Sequence, residues 1–377
     1  MNLLKLGPVL ERFVDATSGL AVQVDNDACV HHWNHASDCR LCIDGCPVQA
    51  ITLATATEIA LEQERCVQCG YCLHACPTAV FTAGIDETAR LLQAAAVLSP
   101  CSALDLTCRH LPANQAEATA IIEVGSCLAA LGVSAYIGLA ALGVEQAGVR
   151  VEACGECPIG SLRSQIEGTA AAARALTTIS ITLIEHPPGA AEKKPVYSTR
   201  APLVSRRSLW RRFGGPAPAS ALPPQEKPPA EGKHPPLERR TLLHGLAHLP
   251  DAQRASGPFF PALAASASCT ACGVCATVCP TGALTLVDAE NTFTLEFAPL
   301  TCTDCGLCLQ LCPPQALQPE QPIAYSDACP AVLLAGERKQ CRRCRASFAG
   351  AGDLCPVCTF RRYNPAGSMM RFPSTAS

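Results

Sequence analysis

Residues 66–77 read "CVQCGYCLHACP", a spacing of C-x2-C-x2-C-x3-C-P. Three thiolates two residues apart can wrap one face of a metal–sulfide cubane, with the intervening N–H groups turned toward the sulfurs. The fourth cysteine lies one step further along a short helical turn and points away. Pro77 removes a backbone donor and ends that turn. Gly70 lets the backbone approach closely. Cysteines this near in sequence are badly placed to bridge each other as disulfides, and well placed to converge on one metal centre.

The pattern recurs. "CTACGVCATVCP" spans 269–280 and "CTDCGLCLQLCP" spans 302–313. A fourth copy, "CVHHWNHASDCRLCIDGCP" at 29–47, is stretched: Cys39, Cys42 and Cys46-Pro47 keep the spacing, but Ala36 stands where the first cysteine belongs. Cys29 is the nearest upstream thiol and is expected to complete the set, since thiolate is the preferred iron–sulfur ligand. Two alternatives stay open: His35 as an imidazole ligand, and a three-iron cluster with no fourth ligand. The copies fall into two pairs, 29–77 and 269–313. Between the members of each pair, "AITLATATEIALEQE" (50–64) and "ALTLVDAENTFTLEF" (283–297) alternate apolar and polar residues, which predicts short antiparallel hairpins.

These motifs resemble those of the bacterial two-cluster ferredoxin family, present twice, over about 50 residues each time. The resemblance implies two [4Fe–4S] clusters per module. In the second module, Cys269, Cys272, Cys275 and Cys312 would hold one cluster, and Cys302, Cys305, Cys308 and Cys279 the other. In the first module, Cys66, Cys69, Cys72 and Cys46 form one set; Cys39, Cys42 and Cys76, with Cys29, form the other.

Residues 90–185 read differently. Strand candidates at 94–98, 120–124, 149–153 and 179–184 alternate with helix candidates at 128–143 and 159–177, which predicts a small parallel α/β domain. Strand C-termini share one edge of such a sheet, and ligand sites form there. Cys101, Cys127 and Cys154 follow three of the strand candidates, and Cys108 and Cys157 lie near enough in sequence to join them. "IIEVGSCLAALG" and "VRVEACGECPIG" resemble the small iron–sulfur delta subunit of methyl-viologen-reducing hydrogenases. That resemblance implies a fifth iron–sulfur centre; a dithiol site and plain buried cysteines are the alternatives.

Residues 186–240 hold 12 of the 31 prolines and no cysteine, the composition of an extended linker. Within it, "SRRSLWRRF" (205–213) combines four arginines with Trp210 and Phe213, residue types that anchor interfaces, and is a candidate docking segment. Near the end, Cys341-x2-Cys344-x10-Cys355-x2-Cys358 has the spacing of a structural zinc site. It resembles a zinc ribbon, and "CPVC" also resembles half of a rubredoxin iron site. Cys329 is unassigned.

The expected architecture is therefore α+β. It has an N-terminal extension (1–28), a dicluster module (29–86), an α/β cysteine-bearing domain (90–185) and a Pro-rich linker with a basic island (186–262). A second dicluster module (263–320) and a zinc-ribbon-like segment with a tail (321–377) follow. The net charge of −3 gives no case for nucleic acid as the main partner. The uncharged run 128–144 has 17 residues and three glycines, short of a bilayer span. No secretory signal is apparent, and the 26 cysteines suit a reducing, cytoplasmic setting. No phosphate-binding loop, flavin fingerprint or paired acid/base motif stands out. The expected function is an electron-transfer protein that relays single electrons within or to a redox enzyme complex of the hydrogenase or molybdenum/tungsten oxidoreductase type. An accessory or maturation ferredoxin and a disulfide-type reductase using the middle-domain cysteines are the alternatives.

Overall fold

The computed structural model describes residues 22–98, 101–111, 115–186, 192–200, 233–289 and 291–363. The basic island at 205–213 lies outside them. The first module runs β1 (Val22–Val24), α1 (Val30–Trp33), α2 (Leu41–Asp44), β2 (Ile51–Leu53), β3 (Ile59–Leu61), α3 (Tyr71–Ala75) and β4 (Phe81–Ala83). Outer strands β1 and β4 pair antiparallel, and β2 and β3 form the hairpin expected between the cysteine motifs. Its small core of Val22, Ile51, Ile59, Val80 and Phe81 includes the buried thiols of Cys29 and Cys76.

The middle domain contains α4 (Glu87–Leu98), β5 (Ala103–Cys108), β6 (Gln115–Ala116), β7 (Ala120–Val124), α5 (Val133–Ala141), β8 (Gln146–Arg150), α6 (Arg163–Arg174), β9 (Ser180–Ile184), β10 (Glu192–Lys193) and β11 (Val196–Ser198). Five strands form one sheet in the order β11-β7-β5-β8-β9, with every neighbour parallel. β6 and β10 make a separate two-residue pair.

Two of the sequence expectations need correction here. The run 94–98 is the end of α4, not a strand. A five-residue apolar run does not distinguish helix from strand, and Ala94 and Ala95 continue the buried face begun by Leu91 and Leu92. The first strand is instead β5, "ALDLTC". The third strand starts three residues earlier than expected, because Ala147 and Gly148 carry no large apolar side chain. Gly148 is needed there: a Cβ would sit 2.3 Å from Asp105 Oδ1. The uncharged run 128–144 folds as a 3-10 turn and α5, nearly all of it buried in the core. Among the described residues no helix is long and apolar enough to cross a membrane.

α7 (Leu237–His248) lies in the span that composition assigns to the linker, yet it packs on the middle domain. Leu242 and Leu246 join its core. Gly245 permits the crossing with α5, since a Cβ there would approach Ile137 Cγ2 to 3.0 Å. The second module follows: β12 (Phe260–Ala265), α8 (Val274–Val278), β13 (Leu284–Ala289), β14 (Thr292–Phe297), α9 (Leu307–Gln310) and β15 (Leu317–Ile323). β12 pairs with β15, and β13 with β14, repeating the plan of the first module. β16 (Ala331–Glu337) extends the β13–β14 sheet. β17 (Lys339–Gln340), β18 (Ser347–Phe348) and α10 (Pro356–Tyr363) complete the described chain.

Candidate metal centres

The cysteine loops are held in an unusual backbone state. Seven non-glycine residues among those described have positive φ, and all seven lie in cysteine loops. Such conformations cost about 1–3 kcal/mol each and concentrate at functional sites. In the three regular copies the residue before the second cysteine is left-handed (Gln68 φ 53°, Ala271 52°, Asp304 57°), and so is the glycine after it (Gly70 83°, Gly273 75°, Gly306 75°). Two residues past each C-P proline the chain turns left-handed again, at Gln49, Ala79, Gly282 and Gln315. Alternating handedness of this kind turns successive N–H groups into one concavity that suits an anionic group. The fourth cysteine of a copy then accepts an N–H four residues on: Ala50 to Cys46 Sγ at 3.3 Å, Val80 to Cys76 at 3.4 Å, and Ala316 to Cys312 at 3.3 Å. Thr78 and Thr281 hydroxyls lie 3.6 Å from Cys76 Sγ and Cys279 Sγ.

The electrostatic neighbours of the thiols cross from one motif to the other. Burial and then the neighbouring Cys272, Cys269 and Cys312 thiols push Cys275 up to about 11. Burial and then Cys302, Cys305, Cys279 and Cys275 push Cys308 up to about 12. Cys72 is raised by burial and by Cys69, Cys66, Cys46 and Cys42. Each group therefore contains one thiol from the partner motif, and Cys42 and Cys275 link the two groups within each module.

The stretched copy is built differently. Arg40, at the position of Gly70, has φ −131°, so the left-handed turn is absent. Cys29 is the thiol nearest to the gap in this copy. It caps α1 and is 5% exposed. Burial and then Cys76, Cys39 and Cys29 push the Cys42 thiol up to about 12, so all four thiols are neighbours. Two side chains set this entry. Asn26 clamps β3, accepting from Ile59 N at 2.8 Å and donating to Ile59 O at 3.3 Å. His31, only 4% exposed, donates from Nε2 to the Cys39 carbonyl at 2.8 Å. His35 is exposed. The sequence reading missed Asn26, and it singled out His31 only as one of three loop histidines able to donate hydrogen bonds at this site. The nearness of His31 to Cys29 was the available signal.

In the middle domain the strand order reverses at β5, between β7 and β8. A cavity of about 310 Å³ lies at the C-terminal edge there, lined by Cys108, Cys127, Cys154 and Cys157. Burial and then Cys108, Cys69 and Cys154 push Cys127 up to about 12. Cys69 belongs to the first module, so this site adjoins that module. Cys101 does not join it. It precedes β5, at the opposite edge of the sheet, where its Sγ donates to the Ala103 carbonyl at 3.3 Å. The misread strand at 94–98 was the cause of that expectation.

Two further polar groups, not anticipated from sequence, face the second module. The Arg239 guanidinium lies 5.2 Å and 5.7 Å from the ring centroids of Phe260 and Phe259. Burial pulls its pKa down, opposed by Cys302, Glu238 and Asp304 nearby. Its Nη1 and the Thr303 hydroxyl are both buried without a protein partner among the described residues. Buried orphan donors are rare, and an anionic sulfide cluster held by Cys302 would satisfy them.

At the C-terminus the Sγ atoms of Cys341, Cys344, Cys355 and Cys358 lie within 4.8 Å of one another. Cys344 and Cys355 are 3.6 Å apart, against roughly 3.8 Å for two ligands of a tetrahedral metal with 2.3 Å bonds. Cys355 N donates to Cys341 Sγ at 3.3 Å. The donor set fits one soft tetrahedral ion. Cys329 is exposed.

A family model described as a 4Fe-4S dicluster domain matches residues 37–80 and, again, residues 268–316. The first match begins after Cys29, so this cysteine lies outside the shared pattern. No curated protein matches the chain. The chain thus carries two ferredoxin-like dicluster domains joined to a parallel five-stranded sheet, and it is an iron–sulfur electron-transfer protein.

Proposed function

We propose that the chain is a multi-cluster relay, passing single electrons between the middle domain and the far end of the second module, as a subunit of or donor to a larger redox enzyme. The observation that carries this reading is the continuity of the cysteine groups. Cys127 neighbours Cys69, and Cys72 neighbours Cys42. The first module then meets the second where Asn34 Nδ2 donates to Gln310 Oε1 at 2.8 Å, on the α9 segment that carries Cys308. [4Fe–4S] clusters would be held by Cys46/Cys66/Cys69/Cys72, Cys29/Cys39/Cys42/Cys76, Cys269/Cys272/Cys275/Cys312 and Cys279/Cys302/Cys305/Cys308. A fifth iron–sulfur centre would sit on Cys108, Cys127, Cys154 and Cys157. Zinc would sit on Cys341, Cys344, Cys355 and Cys358, with a closed shell that serves structure rather than chemistry. When bound, the clusters supply the one-electron couples. The protein sets their spacing and potential through burial, N–H···S bonds and nearby charge.

The partner enzyme is proposed to be of the hydrogenase or molybdenum/tungsten oxidoreductase type, and α7 is assigned to the middle domain rather than to the linker. The relay is tested by stepwise reduction of the full chain, followed by electron paramagnetic resonance. Neighbouring reduced clusters broaden each other's signals. Broadening that grows as more electrons are added is the expected result; signals that stay independent at full reduction would sink the relay.

A further inference from the structure

The C-terminal segment has a charge unlike the rest of the chain. Residues 337–363 hold seven cations and two acids, in a chain of net charge −3. Arg338 is engaged: its Nη2 lies 2.7 Å from Asp288 Oδ1 and donates to the Ala271 carbonyl at 2.7 Å. The other six, Lys339, Arg342, Arg343, Arg345, Arg361 and Arg362, are exposed and pair with no acid among the described residues. The four-cysteine knuckle fixes two strings of them on one small body. Val357 and Phe360, three apart on α10, are exposed beside Arg361 and Arg362.

This body is seated on a cysteine loop of the second module. Ala349 N donates to the Thr270 carbonyl at 3.1 Å. Ala349, Ala271 and Phe293 form a small shared core. Cys272, in the same loop, is exposed, whereas the other seven motif cysteines of the second module are buried or half-buried. The body that carries these cations is therefore joined to the loop of the most accessible cysteine set of the second module, and its charge favours an anionic partner.

We propose that this face, residues 339–362, is the docking surface for an acidic redox protein that exchanges electrons at the Cys269/Cys272/Cys275/Cys312 site. The proposal rests on the electron-transfer reading and names the chemistry of the partner. Single-sign patches next to a transfer site steer encounter and raise association rates by about 10- to 1,000-fold, an advantage that salt removes. A patch of apolar residues among the cations adds the short-range contact that charge alone does not supply.

The test uses the full, anaerobically loaded chain, reduced with dithionite and freed of excess reductant, in stopped flow. The probes are an acidic flavodoxin, a basic cytochrome c and a small neutral quinone. In each transfer the chain loses one electron and the acceptor gains one, with protons taken from solvent where the acceptor needs them. The expected result is a flavodoxin rate constant that falls at least tenfold on raising salt. It should also fall about tenfold or more in the R342E/R343E/R345E variant and, independently, in R361E/R362E, with the cytochrome c rate rising. Iron and zinc contents equal to the parent's show that the variants fold. Flavodoxin rates unmoved by salt and by both variants would overturn the docking surface while the quinone is still reduced. Failure to reduce any of the three acceptors would sink the electron-transfer reading and the proposal with it. Binding of a 20-nucleotide single-stranded DNA that these same variants abolish, with flavodoxin rates unmoved, would assign the face to nucleic acid instead.

Discussion

Arg239 offers a test in which the charge of one side chain is read at one site. Its guanidinium is packed over Phe259 and Phe260, its Nη1 is buried without a protein partner among the described residues, and Cys302 and Asp304 lie among its electrostatic neighbours. Reduction adds a negative charge to whatever Cys302 holds, and a cation alongside stabilises that state. Removing the cation should therefore lower the reduction potential. Taking one unit charge at about 7 Å and an effective dielectric of about 20, the interaction is on the order of 2 kcal/mol. For a one-electron couple this corresponds to roughly 90 mV. Arg239→Met keeps most of the apolar stem over the rings and removes the charge. Arg239→Lys keeps the charge and loses the planar stacking. A redox titration followed by electron paramagnetic resonance should show one cluster moved down by roughly this amount in the Met variant, with the others in place, and most of the shift absent in the Lys variant. An unmoved set of potentials, or an equal shift of every cluster, would refute the reasoning.

Three further outcomes follow from the geometry. Cys29→Ala should leave module folding intact but convert one cluster to a three-iron form, lowering iron by about one per chain and adding a three-iron signal in the oxidised protein; a full iron count would assign the fourth ligand elsewhere. Cys358→Ala should lose the C-terminal metal ion while cluster absorbance persists, measured by metal analysis, because the knuckle carries its own four thiols. Asp105 is buried in β5, and burial, outweighing the nearby Arg150, raises its carboxyl to about 6. Ionising this carboxyl costs more in the folded state than in the unfolded one, so nothing is lost well below pH 4, and the cost grows between about pH 4 and 6 and is complete above it. Asp105→Asn should then gain on the order of 2 kcal/mol over the parent at pH 8 and almost nothing at about pH 3, read as Tm against pH.

The dicluster modules were legible because their spacing is itself the constraint. Each position of C-x2-C-x2-C-x3-C-P maps to one backbone state, down to the left-handed residue before the second cysteine. The hairpins were legible because their inner faces alternate. Cys29 stood out in the sequence as the nearest thiol, but the path of the chain around it did not: the Asn26 clamp on β3 and the His31 bond to Cys39 join residues with no local pattern. The middle domain was legible as a parallel sheet and misread in detail. Ala-rich α4 and the Ala147–Gly148 start of β8 carry weak periodicity, and the error at 94–98 carried Cys101 into a site it does not reach. α7 was hidden by the prolines before it, since composition averages over a boundary that packing sets. Arg239 had no sequence signal as a neighbour of Cys302, because 63 residues and the fold of two domains separate them.

The measurement that bears most directly on the account is iron, acid-labile sulfide and zinc per chain in anaerobically prepared full-length protein. Four cubanes require roughly 16 irons with matching sulfide, and a middle-domain centre adds roughly two to four. Roughly 18 to 20 irons with one zinc is the expected result. A count of roughly 8 or fewer after careful reconstitution would contradict it, since no more than two of the four cubanes could then be filled.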